Sequence, residues 1–264
     1  MRRGLAIAGS DSGAGAGIQG DLKTFAAHGL YGTCAITAVT AQNTLGVVCW
    51  QALEADLVTA QIEAVVADIG TDAVKIGMLA NAAIAEAVAA AIRDLDLPQV
   101  VLDPVLIAKG GDRLLAEEAV ATIRAELLPL AHVVTPNIPE AEALTGSSIR
   151  SLEDMRDAAR RILRLGPRVV LVKGGHAGGA ESIDVCVTAE GSFEVRGPRI
   201  DTPHTHGTGC TLSSAIAANL ALGLPEREAI ELAREYLDGA IRHAPGLGGG
   251  HGPLNHFWRG GILK

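Results

Sequence analysis

Short runs rich in β-branched and other apolar residues alternate along the chain with segments whose apolar positions recur every three or four residues. The runs are Leu5 to Ala8, Thr33 to Ala41, Ala73 to Ile76, Val100 to Leu102, His132 to Thr135 and Val169 to Lys173. Between them lie Ile18 to His28, Leu57 to Ile69, Ala82 to Arg93, Glu117 to Leu127 and a stretch ending at Leu163, with two further helices late in the chain. Strand followed by helix this often predicts an α/β fold with a mostly parallel central sheet, helices on both faces and right-handed crossovers. Ile183 to Ala189 and Ser192 to Arg196 predict a small edge hairpin with Glu190 and Gly191 as its turn. No long Pro- or Ser-rich linker and no repeat of fixed period interrupts the series, so residues 1–264 are expected to form a single domain. Gly246 to Gly252 reads as a glycine-rich loop.

Composition narrows the class. The chain has 264 residues, 48% hydrophobic and 20% charged, and a net charge of −8. That excludes a disordered chain and a basic nucleic-acid binder, and only 3% aromatic residues leave few platforms for stacked bases. Cys34, Cys49, Cys186 and Cys210 form no CxxC pair, and Met1 to Gly9 lacks the apolar stretch of a signal peptide. A cytoplasmic protein is expected. The apolar segment Ala80 to Ile92 stops at one amphipathic helix length, so no membrane partner is expected either.

In parallel sheets ligands collect beyond the carboxyl ends of the strands. Asp11, Gln42, Gly77 and Met78, Asp103, Asn137 and Gly174 all fall just after strand patterns. The first loop, Gly9 to Gly17, is glycine-rich, and Gly15, Gly17 and Gly20 satisfy GxGxxG. A dinucleotide fingerprint wants its first glycine directly after the strand and an acidic residue about 20 positions on, whereas the second strand here ends in Ala41-Gln42-Asn43. There is no Walker-type GxxxxGK[ST]. A flexible turn into a helix and a close backbone approach to a ligand both remain open for this loop.

The sharpest local signal is Thr205-His206-Gly207-Thr208-Gly209-Cys210, which opens a helix of small residues from Thr211 to Leu222. Glycines at a helix start let several N–H groups converge where the dipole adds roughly half a positive charge, which suits an anion. Cys210 falls in the first turn, where a thiol can be lowered from ~8.5 by a unit or more, making it a candidate proton acceptor. An ordinary helix start with a buried cysteine, and a zinc site using His204, His206 and Cys210, are the competing readings. Asp103-Pro104 and Pro136-Asn137-Ile138-Pro139-Glu140 bring two carboxylates to one rim, which suits Mg²⁺ held through acids, waters and substrate phosphates. Each alone reads as a helix cap or first-turn acid. Lys173 ends another strand as a candidate phosphate cation, and Lys109-Gly110-Gly111-Asp112 reads either as a second clamp or as a solvated loop.

With these residues in hand the chain resembles the ribokinase-like superfamily, and closely its hydroxymethylpyrimidine/phosphomethylpyrimidine kinases of thiamine biosynthesis. The likeness is carried by Ala8-Gly9-Ser10-Asp11-Ser12, Gly17 to Thr24, Thr40 to Thr44, Lys75 to Leu79, Asp103-Pro104-Val105, Thr135 to Glu140, Val172 to His176, Thr205 to Cys210 and Gly250 to Pro253. The resemblance implies a ribokinase-like three-layer sandwich without a separate lid domain, ATP and Mg²⁺ as cofactors, and a pyrimidine substrate phosphorylated twice. By it, Gln42 and Asp21 read the aminopyrimidine, Gly9 and Met78 line its pocket, and Asp103 and Glu140 organise the metal. Lys173 and Thr208 meet nucleotide phosphate, Gly207, Thr208 and Gly209 form an anion hole, and Cys210 takes the substrate proton, where sugar kinases carry Asp. A homodimer is expected from the same likeness. Ala14 and Gly20 depart from the pattern, standing where Gly and Ala are expected. The rival readings are a pyridoxal or pyridoxine kinase, an NAD-dependent oxidoreductase resting on Gly15, Gly17 and Gly20, and a non-catalytic nucleotide or vitamin-precursor binding protein.

Overall fold

Alternation decides the layering. In the computed structural model, which describes residues 1–106, 117–175 and 181–260, Leu5 and Ile7 of β1 (Arg3–Asp11) face one core while Ala6 and Ala8 face the other. Both faces of the strand are therefore covered, which is why it reads as a continuous apolar run rather than an alternating one. The Leu5/Ile7 face carries α2 (Ala55–Asp68), α3 (Ala82–Asp94), α4 (Glu117–Thr122), α5 (Ile138–Thr145) and α6 (Leu152–Leu163). The opposite face carries α1 (Gly17–Ala27), α7 (Thr208–Ala221) and α8 (Glu226–Arg242). Every residue of α7 from Thr211 to Ala221 is buried, and its run of Ala, Ser and Thr lets it lie against the sheet.

The remaining strands are β2 (Tyr31–Asn43), β3 (Gly46–Ala52), β4 (Ala73–Ile76), β5 (Val100–Leu102), β6 (Val133–Val134), β7 (Val169–Val172), β8 (Glu181–Thr188) and β9 (Gly191–Pro198). They form one sheet in the order β3-β2-β1-β4-β5-β6-β7-β8-β9. Pairings from β2 through β7 are parallel, while β3, β8 and β9 add antiparallel edges. The chain leaves β1 for β2 on one side and reaches β4 on the other, so the topological switch point lies at β1.

Three sequence expectations need correction. β3 carries no strand signal in the sequence, because six of its seven residues are exposed and follow no alternating pattern. Thr188 pairs with Gly191, so the edge turn is Ala189-Glu190 rather than Glu190-Gly191. The helical stretch ending at Leu163 is two helices, because Gly146 caps α5 in the left-handed region (φ 68°) and Ser151 then caps α6 by accepting the Asp154 N–H. Lys109 to Asp112 and His176 lie outside the described residues.

Candidate active site

The first loop is folded around one carboxylate. Asp11, at the end of β1, accepts the N–H of Gly13 on Oδ1 (2.8 Å) and those of Gly15 (3.0 Å) and Ala16 (2.8 Å) on Oδ2. His206 Nε2 donates to the same Oδ2 at 2.8 Å. Burial would raise the Asp11 carboxyl, but the His206 bond and the loop N–H groups together bring it below its ordinary value. Asp11 thus ties the first loop to the start of α7. The glycines serve that approach: a Cβ on Gly207 (φ 85°) would collide with the Gly15 carbonyl, and one on Gly17 (φ 56°) with the Gly9 carbonyl. The GxGxxG match therefore records packing of one loop on another, and the oxidoreductase reading loses its support.

Gly9, Met78 and Gln42 gather at this end of the sheet. A Cβ on Gly9 would lie 3.4 Å from Met78 Sδ, and Thr37 Oγ1 fixes the Met78 carbonyl with a 2.6 Å bond. Gln42 is half-buried; its backbone exchanges hydrogen bonds with Ser12 Oγ, Thr40 Oγ1 donates to its Oε1, and its Nε2 stands 3.4 Å from His206 Nε2.

The α7 start lies between this group and a charged one. Gly207 caps the helix in a left-handed conformation, the Thr208 N–H donates to Thr205 O, and the Thr211 N–H donates to Gly207 O. The first-turn N–H groups of Thr208, Gly209 and Cys210 have no partner four residues back within the helix. A Cβ on Gly209 would lie 3.2 Å from Asp103 Oδ2 and 3.4 Å from Lys173 Nζ. One glycine therefore faces both charged groups, and His206, three residues earlier in the chain, stands beside Gln42.

Beneath this turn sits a buried ion pair, Asp21 with Lys75. Asp21 and Lys75 are both 0% exposed and bonded at 2.9 Å, and Ser214 Oγ donates to Asp21 Oδ1 at 2.7 Å. The expectation that Asp21 touches the ligand is corrected: its carboxylate is sealed and already answered. Burial alone would lower the Lys75 ammonium, but Asp21, Cys210 and Asp103 together hold it above its ordinary value. Its signal was visible, since a lysine inside an all-apolar strand run must be paired. The expectation of a lowered Cys210 thiol is also corrected. Burial pushes it up, Asp21 and Asp103 push the same way, and Lys75 with the Gly17 N–H does not reverse the shift.

The charged side belongs to β5, β6 and β7. Lys173 Nζ donates to Asp103 Oδ1 at 2.7 Å and Thr135 Oγ1 to the same oxygen at 3.1 Å. Glu140 and Asn137 form a capping box at the start of α5, with bonds of 2.8 and 2.9 Å. Burial pushes the Glu140 carboxyl up to about 7, Asp103 adds to the rise, and Lys173 opposes it. Two hard oxygen donors that repel each other in a low-dielectric rim fit a divalent cation completed by waters and phosphates. Among the described residues no group of three or more His, Cys, Asp or Glu forms a cage. The zinc reading fails on the same ground, since His206 is committed to Asp11 and His204 packs against Gly252.

The sheet order, the switch-point crevice and the glycine-lined helix start define a ribokinase-like kinase fold. The chain belongs to the phosphomethylpyrimidine kinase family, whose sequence profile matches residues 11–255. It is 49% identical over 262 residues to the hydroxymethylpyrimidine/phosphomethylpyrimidine kinase of Haemophilus influenzae, covering 97% of each chain. The Escherichia coli protein of that name is 46% identical over 256 residues, with 96% of each covered. Among solved structures, an ADP complex of Bacillus subtilis pyridoxal kinase superposes with a TM-score of 0.92 at 39% identity, covering 97% of both chains. The phosphomethylpyrimidine kinase of Clostridium difficile gives 0.82 at 44% identity, covering 91% of this chain and all of that one.

Proposed function

We propose that this chain moves the γ-phosphate of ATP to the hydroxymethyl oxygen of 4-amino-5-hydroxymethyl-2-methylpyrimidine, and then a second one to the resulting monophosphate. The observation that carries the reading is the α7 start, where a Cβ on Gly209 would meet Asp103 and Lys173, while His206, three residues earlier, reaches Gln42. In the first reaction the substrate oxygen forms its bond to the γ-phosphorus as the bridge to the β-phosphate breaks. The hydroxyl proton passes to Cys210 Sγ in its thiolate form, which becomes the neutral thiol. Gly207 and Gly209 supply N–H donors to the migrating phosphate, Lys173 and Thr208 meet nucleotide phosphate, and Gln42 reads the ring edge in the pocket of Gly9 and Met78. Magnesium, when bound through Asp103, Glu140 and waters, would neutralise phosphate charge. Alignment and charge stabilisation carry most of such a transfer, so the small thiolate fraction of a cysteine with a raised pKa suffices as the base.

The whole chain acts as one domain in this reading, in the cytoplasm, as a homodimer. The dimer is supported by the β2–β3 hairpin, which leaves Val39, Leu45, Val47, Val48 and Trp50 43–79% exposed. Among the described residues no helix is long and apolar enough to cross a membrane. The test is ADP release measured with hydroxymethylpyrimidine, its monophosphate and pyridoxine. Turnover of both pyrimidines well above that of pyridoxine is expected; turnover of pyridoxine alone would overturn the assignment.

A further inference from the structure

Away from the rim, Arg234 and Asp184 are buried together, with the half-buried Asp238 beside them. Arg234 of α8 is 6% exposed and donates from Nη1 to Asp184 Oδ2 of β8 at 2.7 Å, and from Nε to Asp238 at 2.9 Å. Asp184, 4% exposed, spends its other oxygen on the backbone N–H of Gly174 at 2.9 Å. A buried ion pair of this kind is weak evidence of stability, since well-packed apolar side chains of similar volume do as well. What an apolar side chain would not do is accept that N–H.

Gly174 directly follows Lys173. Its surroundings are tight: a Cβ there would collide with the Ile183 carbonyl, so β8 presses on the chain at this point. On the other side the Lys173 N–H donates to Pro136 O at 2.8 Å, and Lys173 bridges to Asn137. Two consecutive N–H groups are therefore held from opposite directions, one by the β6–α5 loop and one by Asp184. Between them the backbone that aims Lys173 Nζ at Asp103 has little freedom.

We infer that Asp184, locked by Arg234, is a positioning residue for Lys173, so that α8 sets the placement of the cation that meets nucleotide phosphate. The inference rests on the proposed role of Lys173 and makes a non-additivity statement that a purely structural role does not. Asp184→Ala lowers kcat about tenfold and raises the KM for ATP by a similar factor, because a small misplacement of a reacting group is costly, while the pyrimidine KM stays within about twofold. In a Lys173→Met background the same substitution changes kcat less than about twofold, since there is no longer a cation to misplace.

The experiment is this double-mutant cycle on the full-length enzyme, with ATP and hydroxymethylpyrimidine varied separately. Equal loss in both backgrounds, or wild-type kinetics for Asp184→Ala, overturns the inference. Wild-type kinetics for Lys173→Met alone overturns the Lys173 role instead. Where Asp184→Ala does not fold by circular dichroism, Asp184→Asn carries the same cycle; it keeps one oxygen for Gly174, loses the charge facing Arg234, and is expected to show a smaller loss that again vanishes with Lys173→Met. Asp184→Asn with equal losses in the two backgrounds contradicts the inference as well.

Discussion

On the β1–β2–β4 side of the rim, each charge is answered inside the protein: Asp11 by loop N–H groups and His206, Asp21 by Lys75 and Ser214. What that side leaves for a ligand is the Gly9 backbone, the Met78 side chain and the Gln42 amide. On the β5–β7 side, Asp103 and Lys173 answer each other within reach of Gly209, and burial beside Asp103 holds the Glu140 carboxyl above its ordinary value. The contrast matches two ligands of opposite character. A nearly uncharged pyrimidine gains nothing from an unpaired charge and pays to desolvate one, whereas a polyphosphate with its counter-ion needs charges that can re-pair. The α7 start joins the halves, because a helix N-terminus gives partial positive charge without a side chain.

The strongest way to break this comparison is to remove the cation. Lys173→Met is expected to lower kcat/KM for ATP by about a hundredfold or more, the usual cost of losing one preorganised charge-stabilising donor, with the pyrimidine KM little changed. A loss confined to pyrimidine binding would reverse the assignment of the two sides.

Cys210→Ala separates the two reactions. The first substrate must give up a hydroxyl proton, whereas the phosphate of the monophosphate already carries an anionic oxygen near neutral pH. Turnover of the alcohol should fall about ten- to a hundredfold, and that of the monophosphate much less. Because the Cys210 thiol is raised above its ordinary value, its thiolate grows as pH increases, so kcat for the alcohol should climb from pH 7 upward in the wild type and lose that limb in the variant. A flat wild-type profile over that range would remove Cys210 as the base.

On the neutral side a smaller effect is expected. Gln42→Ala should raise the pyrimidine KM about tenfold, the worth of one hydrogen bond, with the KM for ATP unchanged in the same titrations. An equal rise in both would mean that Gln42 supports the fold of the loop rather than reading the ligand.

The departures from the family pattern give the smallest. Ala14 holds a left-handed conformation (φ 58°) that costs an L-residue about 1–2 kcal/mol, partly offset by the unfolded-state freedom a glycine would add. Ala14→Gly should therefore raise the melting temperature by about 2 °C with kinetics intact. A lower melting temperature would contradict the strain.

Much of this was legible in the sequence for physical reasons. The parallel core announced itself because strands covered on both faces are uninterrupted apolar runs, and the α7 start because two glycines flank Thr208 before a small-residue helix. What stayed hidden depended on partners distant in sequence. β3 is exposed and unpatterned, and the Asp11–His206 bond spans 195 residues. Asp21 looked like an accessible acid because nothing local reveals that Lys75 and Ser214 enclose it. The thiol of Cys210 was expected to be lowered by the helix dipole, a local effect, and the structure shows burial and two carboxylates outweighing it. The Gly15, Gly17 and Gly20 spacing is a reminder that glycines mark close approach without saying what approaches.

The most direct test of the α7 start as the meeting point of the two sides is Gly209→Ala. Alanine is favoured over glycine in a helix, and the added methyl would sit 3.2 Å from Asp103 Oδ2 and 3.4 Å from Lys173 Nζ, where the migrating phosphate is proposed to pass. The expected result is a melting temperature equal to or above that of the wild type, together with a loss of kcat of about tenfold or more for both pyrimidines. Undiminished turnover by a folded Gly209→Ala enzyme would contradict the account.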